Sequence, residues 1–306
     1  MPTPKKTTTK NAPTEKIIQK IERVPSYDEV MSELCRRSFY EFYKEFWSEI
    51  SSDALVDNWH IKYLCDELQE VGIRLAKGMK KEKDYIINLP TGGTTKSSII
   101  SIAFPCFLWV IKPQLRIACA AYNATLSLDL ATKSRNILQS PKFKSFYPEI
   151  RIKEDQNNKS NFANTNGGVR ISTSQGAAGL GLHFDALICG DIQNVEEAYS
   201  EIGRTAVNEW YSMTFSTRKT SEKTVTIICQ QRLHPKDFTS YCLSTGKEYK
   251  QIVIPGELNN QLQPKELEKF YVNGLMDVNR LNPDKLKELR FDLGTRGYAA
   301  QILQSP

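Results

Sequence analysis

The residues best placed to do chemistry lie in the run Asp84-Tyr-Ile-Ile-Asn-Leu-Pro-Thr-Gly-Gly-Thr-Thr-Lys96-Ser97-Ser98. An apolar strand (Tyr85 to Leu89) enters a loop of small residues, then Lys-Ser, then an apolar stretch suited to a helix. That order is the layout of a phosphate-binding loop. Backbone N–H groups and a helix start face the anion. The Lys reaches the β- and γ-phosphates, and the hydroxyl after it binds Mg²⁺. Set against G-x-x-x-x-G-K-[ST], the first Gly falls on Pro90 and the second on Thr95, while Gly92 and Gly93 sit inside the loop. The same residues also fit a polar strand-to-helix turn that carries Lys-Ser. A nucleotide site needs a second part, a carboxylate at the end of a neighbouring buried strand. Ala186-Leu-Ile-Cys189 followed by Gly190-Asp191 supplies one, at the strand end where open α/β sheets bind ligands. The competing reading of Asp191 is a cap for the turn before Asn194.

Positioning these groups requires a sheet with helices around it. Tyr27 to Ile50 reads as a helix crowded with Phe39, Tyr40, Phe42, Tyr43, Phe46 and Trp47, and Asn58 to Gly78 as a second helix. A helix starting at Lys96 is expected to kink at Pro105. Further strands are expected over 116–122, 169–173, 186–189, 224–229 and 251–254, and helices over 124–138 and 207–215. Apolar strands alternating with helices predict an α/β fold with a mainly parallel sheet and helices on both faces. The strands 84–89, 116–122, 169–173, 186–189 and 224–229 are expected in one sheet, with Lys96 and Asp191 at the same edge.

The 306 residues, 40% hydrophobic and 25% charged, are ordinary for a globular protein and hold no apolar run long enough to span a bilayer. Seven cysteines, an odd number without a C-x-x-C pair, fit buried thiols better than a disulfide framework. The three histidines give no zinc spacing. Residues 1–24 carry six Lys and Arg against two Glu, which is +4 of the chain's +6. This basic leader is read as disordered. It suits contact with nucleic acid and equally a solvated tail.

Taken in order, the motifs resemble the ATPase domain of a tailed-phage terminase large subunit, of RecA/ASCE-like P-loop fold. The resemblance runs from about Phe39 to the last residue. It rests on Phe39-Tyr-Glu-Phe-Tyr-Lys-Glu-Phe-Trp47 and Trp59-His60 before the loop, the loop itself, and Ala121-Tyr-Asn123 with Lys133-Ser-Arg135. It continues through Ser174-Gln-Gly-Ala-Ala-Gly-Leu-Gly181 with His183-Phe-Asp185, Glu197-Ala-Tyr-Ser200, Glu209-Trp210 and Ser216-Thr-Arg218. It ends with Gln231-Arg-Leu-His-Pro-Lys-Asp237, Tyr298-Ala-Ala-Gln301 and Gln304-Ser-Pro306.

The resemblance implies ATP and Mg²⁺ as cofactors and ATP-driven translocation of double-stranded viral DNA. The chain would work as a homo-oligomeric ring on a procapsid, with a portal protein and a small terminase subunit, in the cytoplasm of the infected bacterial host and without a membrane. Residues 25–306 would form the ATPase domain, with a helical leader over 25–83. The nuclease domain that usually follows is expected to be absent. Lys96 and Asp191 would be catalytic, with Asp191 orienting the attacking water. Gly92, Gly93, Thr94, Thr95, Lys96 and Ser97 would hold the nucleotide, and Ser97 and Asp191 the metal. Gln230, Gln231 and Arg232 would couple hydrolysis to motion, and Trp47, Trp59 and Tyr63 would flank the adenine.

This sequence departs from the family's pattern at three places. Gly190 replaces the first of two adjacent acids, Ile192 replaces a frequent Pro, and Leu180 and Leu182 stand nearest to where an Arg is common. Slow hydrolysis is therefore expected, with Gly190→Asp raising it. Two other readings are a degenerate terminase-like nucleotide-binding or assembly module, and a helicase-like ATPase. The stretch 174–191 does not resemble helicase motifs.

Overall fold

The computed structural model describes residues 24–177 and 181–306, so the basic leader up to residue 23 and Leu180 lie outside the described residues. Eight strands among them form one sheet: β1 (Asp84–Asn88), β2 (Arg116–Ala121), β3 (Ile152–Asn157), β4 (Asn161–Asn164), β5 (Val169–Ser174), β6 (Ala186–Gly190), β7 (Val225–Gln230) and β8 (Tyr249–Val253). Their order is β3-β4-β5-β2-β6-β7-β1-β8. Every neighbouring pair from β5 across to β8 is parallel, while β3–β4 and β4–β5 are antiparallel. The parallel part is the sheet expected from the apolar runs. The polar edge strands β3 and β4 were not expected, because Ile152-Lys-Glu-Asp-Gln-Asn carries little apolar signal.

Both faces of the sheet are buried, which explains the apolar strands. Ile117, Cys119 and Ala121 join one core, whereas Ala118 and Ala120 join the other. The first core is covered by α1 (Tyr27–Arg37), α2 (Phe39–Glu45), α3 (Trp59–Ala76), α4 (Phe104–Ile111), α5 (Ala124–Gln139) and α6 (Pro141–Phe146). The second is covered by α8 (Glu201–Trp210) and α9 (Phe238–Ser244), after the short α7 (Val195–Tyr199). The last helix, α10 (Pro283–Gln301), bends at Gly294 and buries Leu286 and Tyr298 in the first core. The aromatic leader is core material: Phe39 lies 4.9 Å from Phe107 between ring centroids, and Phe46 lies 5.8 Å from both Phe143 and Phe146. All seven cysteines are buried and free.

Two helices differ from expectation. The run from Tyr27 to Ile50 breaks at Ser38, whose extended backbone ends α1 and whose hydroxyl caps α2 by accepting from Glu41 N. The run 207–215 belongs to a longer element that starts at Glu201 and ends in a π turn, Tyr211–Phe215.

The helix that leaves the loop after β1 widens before α4 into a π-helical segment, Ser98–Ala103. Pro105 accounts for this. It has no N–H to give the carbonyl of Ser101, four residues back, and its ring crowds that carbonyl. Arg170 Nη2 on β5 donates to Ser101 O at 3.1 Å instead, and Ser134 Oγ on α5 donates to the next carbonyl, Ile102 O, at 2.9 Å. Arg170 is 1% exposed and has no ion pair among the described residues. Its Nη1 donates to Ser172 Oγ at 2.5 Å, and its guanidinium lies 5.5 Å from the Phe162 ring. Arg170→Met should therefore leave a buried carbonyl without a donor and cost about 1–3 kcal/mol, read as a lower urea midpoint at unchanged slope.

Candidate functional site

The loop between β1 and the widened helix is built by backbone conformations that most residues avoid. Gly92, Gly93 and Thr95 all have positive φ, at 92°, 82° and 57°. The two glycines enter the left-handed region without steric cost, whereas Thr95 is β-branched and strained there. The strain is held in place from several sides. Thr94, 3% exposed, donates its hydroxyl to Pro90 O at 2.9 Å. Thr91 N donates to Gln301 O at the end of α10, and Ile99 N closes the first helical turn on Thr95 O.

Behind the loop stands His60, fully buried on α3. Its Nε2 lies 3.1 Å from Thr94 O. A carbonyl only accepts, so Nε2 carries the proton and donates, leaving Nδ1 bare and without a partner. Burial pushes the imidazole down to about 4, against the raising effect of the Thr94 carbonyl. His60 is therefore neutral at physiological pH and adds no charge behind the loop. The sequence reading placed His60 only among the leader motifs. A lone His within an otherwise apolar helical face was the available signal.

The groups named from the sequence meet in front of the loop. Lys96 Nζ lies 3.5 Å from Asp191 Oδ2, with the two side chains 13% and 22% exposed. Ser97 Oγ donates to the same oxygen at 3.3 Å. Asp191 follows β6 directly and adopts φ 46°, a left-handed conformation that Asp tolerates better than most residues. Its backbone is locked between neighbours: Asp191 N donates to Cys229 O and Tyr122 N donates to Asp191 O. Asp185, at the start of β6, instead accepts from Arg116 N at 2.9 Å, at the opposite end of the strand.

Gly190 has a local reason to be glycine. A Cβ there would stand 2.4 Å from Ser101 Oγ on the π segment. Ser101 is 2% exposed, so its hydroxyl has little room to swing aside. A side chain introduced by Gly190→Asp would have to displace the Ser101 hydroxyl.

Gln230, Gln231 and Arg232 leave β7 at the same sheet edge. Gln230 is 1% exposed, and its Nε2 donates to Thr239 Oγ1 at 2.9 Å while Oε1 has no partner. Asn88, at the end of β1, donates to Gln230 O and Thr239 Oγ1, so β1 and β7 share one buried polar junction. Arg232 is committed to Asp237 and Ser240, and its N–H to Gln304 Oε1. Trp59 is held by Met276 O and stacks on Phe270, and Trp47 donates to Asp53 O; both these rings and Tyr63 pack against the core.

The donor set fits a hard divalent cation shared with phosphates. Ser97 and Asp191 offer adjacent oxygens, and among the described residues no group of three or more His, Cys, Asp or Glu forms a complete metal cage. Mg²⁺ is commonly held in that way, by one or two protein oxygens, water and substrate phosphate.

Among solved structures, the crystal structure of the HK97 bacteriophage large terminase is similar to this chain. The TM-score is 0.51 at 10% sequence identity, covering 88% of this chain and 55% of that one. No family model matches the chain, and no match was found among curated proteins. The likeness is one of fold: a mixed α/β architecture with an eight-stranded, mainly parallel sheet.

The buried His60 makes stability depend on pH. Unfolded, it takes up a proton near 6.5; folded, not until about 4. Between those values the unfolded state binds more protons, so stability falls as pH drops through this window. The loss expected is on the order of 3 kcal/mol. His60→Gln, which still offers a donor to Thr94 O, should flatten that part of a stability-versus-pH curve measured by urea unfolding.

Proposed function

We propose that this chain is the ATPase unit of a terminase-like machine that drives double-stranded viral DNA into a procapsid. The observation that carries the reading is the meeting of Lys96, Ser97 and Asp191 on one carboxylate oxygen, at the mouth of a loop whose backbone turns through positive φ at Gly92, Gly93 and Thr95. In this reading Lys96 exchanges Asp191 for the β- and γ-phosphates, and the N–H groups of Gly93 to Lys96 line them. Ser97 and Asp191 would hold Mg²⁺, which supplies neutralisation of charge on the γ-phosphate oxygens. Asp191 also accepts a hydrogen bond from the attacking water and so orients it. Gln230, joined to β1 through Asn88, is suited to carry a change at the γ-phosphate into the sheet. The partners of such a machine are a portal protein, a small terminase subunit and further copies of this chain in a ring. Its setting is the cytoplasm of an infected bacterial cell, and among the described residues no helix is long and apolar enough to cross a membrane.

One observation favours a second reading, a nucleotide-binding or assembly module with little turnover. Gly190 stands where the resembling family carries its first acid, and Ser101 fills the space beside it.

Binding of a fluorescent ATP analogue and phosphate release separate these readings. The chain should bind nucleotide with Mg²⁺, and Lys96→Ala should weaken binding at least ~10-fold, about 1.4 kcal/mol. Gly190→Asp alone should lower stability without raising turnover. Gly190→Asp with Ser101→Gly should raise turnover by ~10² to 10³, the order set by one preorganised electrostatic group. Absence of Mg²⁺-dependent nucleotide binding sinks both readings. Binding with no gain from the paired variant selects the module.

A further inference from the structure

The charge of the described surface is concentrated on the side opposite the phosphate loop. Five segments lead into the N-terminal ends of parallel strands: 74–84 into β1, 112–116 into β2, 183–185 into β6, 218–223 into β7 and 247–248 into β8. They contain eleven Lys and Arg against five Asp and Glu, a net of +6. The whole chain is also +6, and residues 1–24 hold +4, so everything else sums to −4. Because these strands are neighbours in the order β2-β6-β7-β1-β8, the fold gathers the five segments on one edge.

The edge concentrates like charge around a single buried carboxylate. Asp84, 1% exposed, accepts from Lys81 Nζ at 2.9 Å and Thr226 N at 2.7 Å, is bonded by Lys247, and has Lys219 Nζ at 3.6 Å. One negative charge faces three ammonium groups. Burial lowers Lys219 to about 8, and Lys247 and Lys81 push the same way against the raising effect of Asp84. Around this cluster, Lys80–Glu222 and Lys83–Glu248 are solvent-facing pairs of little worth. Lys77 and Lys223 are exposed and make no ion pair among the described residues.

This arrangement suits phosphate contact rather than base or lipid contact. Five strand starts at ~4.8 Å spacing span about 19 Å, facing a duplex that carries one charge per ~1.7 Å. No aromatic on these segments is among the exposed large hydrophobics, so the edge offers no stacking platform for single-stranded bases. Its one exposed large apolar residue is Met79, too little to anchor in lipid.

We propose that this N-terminal edge of the sheet binds the phosphate backbone of double-stranded DNA without regard to sequence. The inference rests on the translocation reading for the choice of DNA, and on charge placement for the surface. The test is fluorescence anisotropy of the full chain with a duplex of about 30 base pairs between roughly 50 and 200 mM salt. Lys77→Gln/Lys80→Gln/Lys223→Gln should bind at least ~10-fold more weakly at low salt and lower the salt slope by about 3, one per phosphate contact. The same variant should keep the parent's ATP-analogue affinity. A second variant, Lys5→Gln/Lys6→Gln/Lys10→Gln, reports on the leader. Equal binding by the parent and the edge variant, loss confined to the leader variant, tighter binding of the single strand, or no duplex binding at low salt each overturns the proposal. Duplex binding through the edge without nucleotide binding keeps the surface and removes the ATPase reading.

Discussion

The candidate site depends on the parallel register of four neighbouring strands. Asp191 N bonds the carbonyl of Cys229 on β7, and Asp191 O accepts from Tyr122 just past β2. These two bonds hold Asp191 in a left-handed conformation that a free chain would populate rarely. They also put its carboxylate in front of the loop that leaves β1, two strands away in the sheet. A parallel sheet carries all its strand ends to one edge, so groups about 95 residues apart in sequence (Lys96 and Asp191) meet within 3.5 Å. The same geometry carries the strand starts, and the lysines before them, to the other edge.

Charge around the loop is balanced locally. Lys96 rests against Asp191, and Ser97 shares the same carboxylate oxygen. Removing a largely buried ammonium from that contact is favourable only when another anion replaces it. His60 supports the loop from behind through one neutral donor. Its burial keeps the ring unprotonated, so His60 brings no charge to the loop.

Pro105 affects the site from a distance. By withholding a donor from Ser101 O it widens the helix, and the freed carbonyl is taken by the buried Arg170. The widened segment carries Ser101 against the end of β6, where its hydroxyl lies 2.4 Å from the place a Cβ on Gly190 would take. Gly190 is therefore coupled to the helix as well as to Asp191 beside it. A π segment of this kind beside a binding loop is a recurrent feature of functional helices.

The sequence alone determined the six parallel strands, because apolar runs buried on two faces have few alternatives. It also marked Lys96, Ser97 and Asp191, because a Lys-Ser pair after a glycine loop and an acid after a buried strand are local patterns. The break at Ser38 and the polar strands β3 and β4 were not legible. A single capping hydroxyl and a weakly alternating edge carry little periodic signal. The contacts of His60 with Thr94, Ser101 with Gly190, and Arg170 with Ser101 span 34, 89 and 69 positions, the middle one as 190 less 101. Only the tertiary structure decided these, since each depends on how a helix sits on the sheet. The lysines of the basic edge come from five separate segments, and near-neutral charge along the globular chain concealed them. Local chemistry is written in neighbouring residues, whereas charge density and steric exclusion arise only when distant residues are packed together.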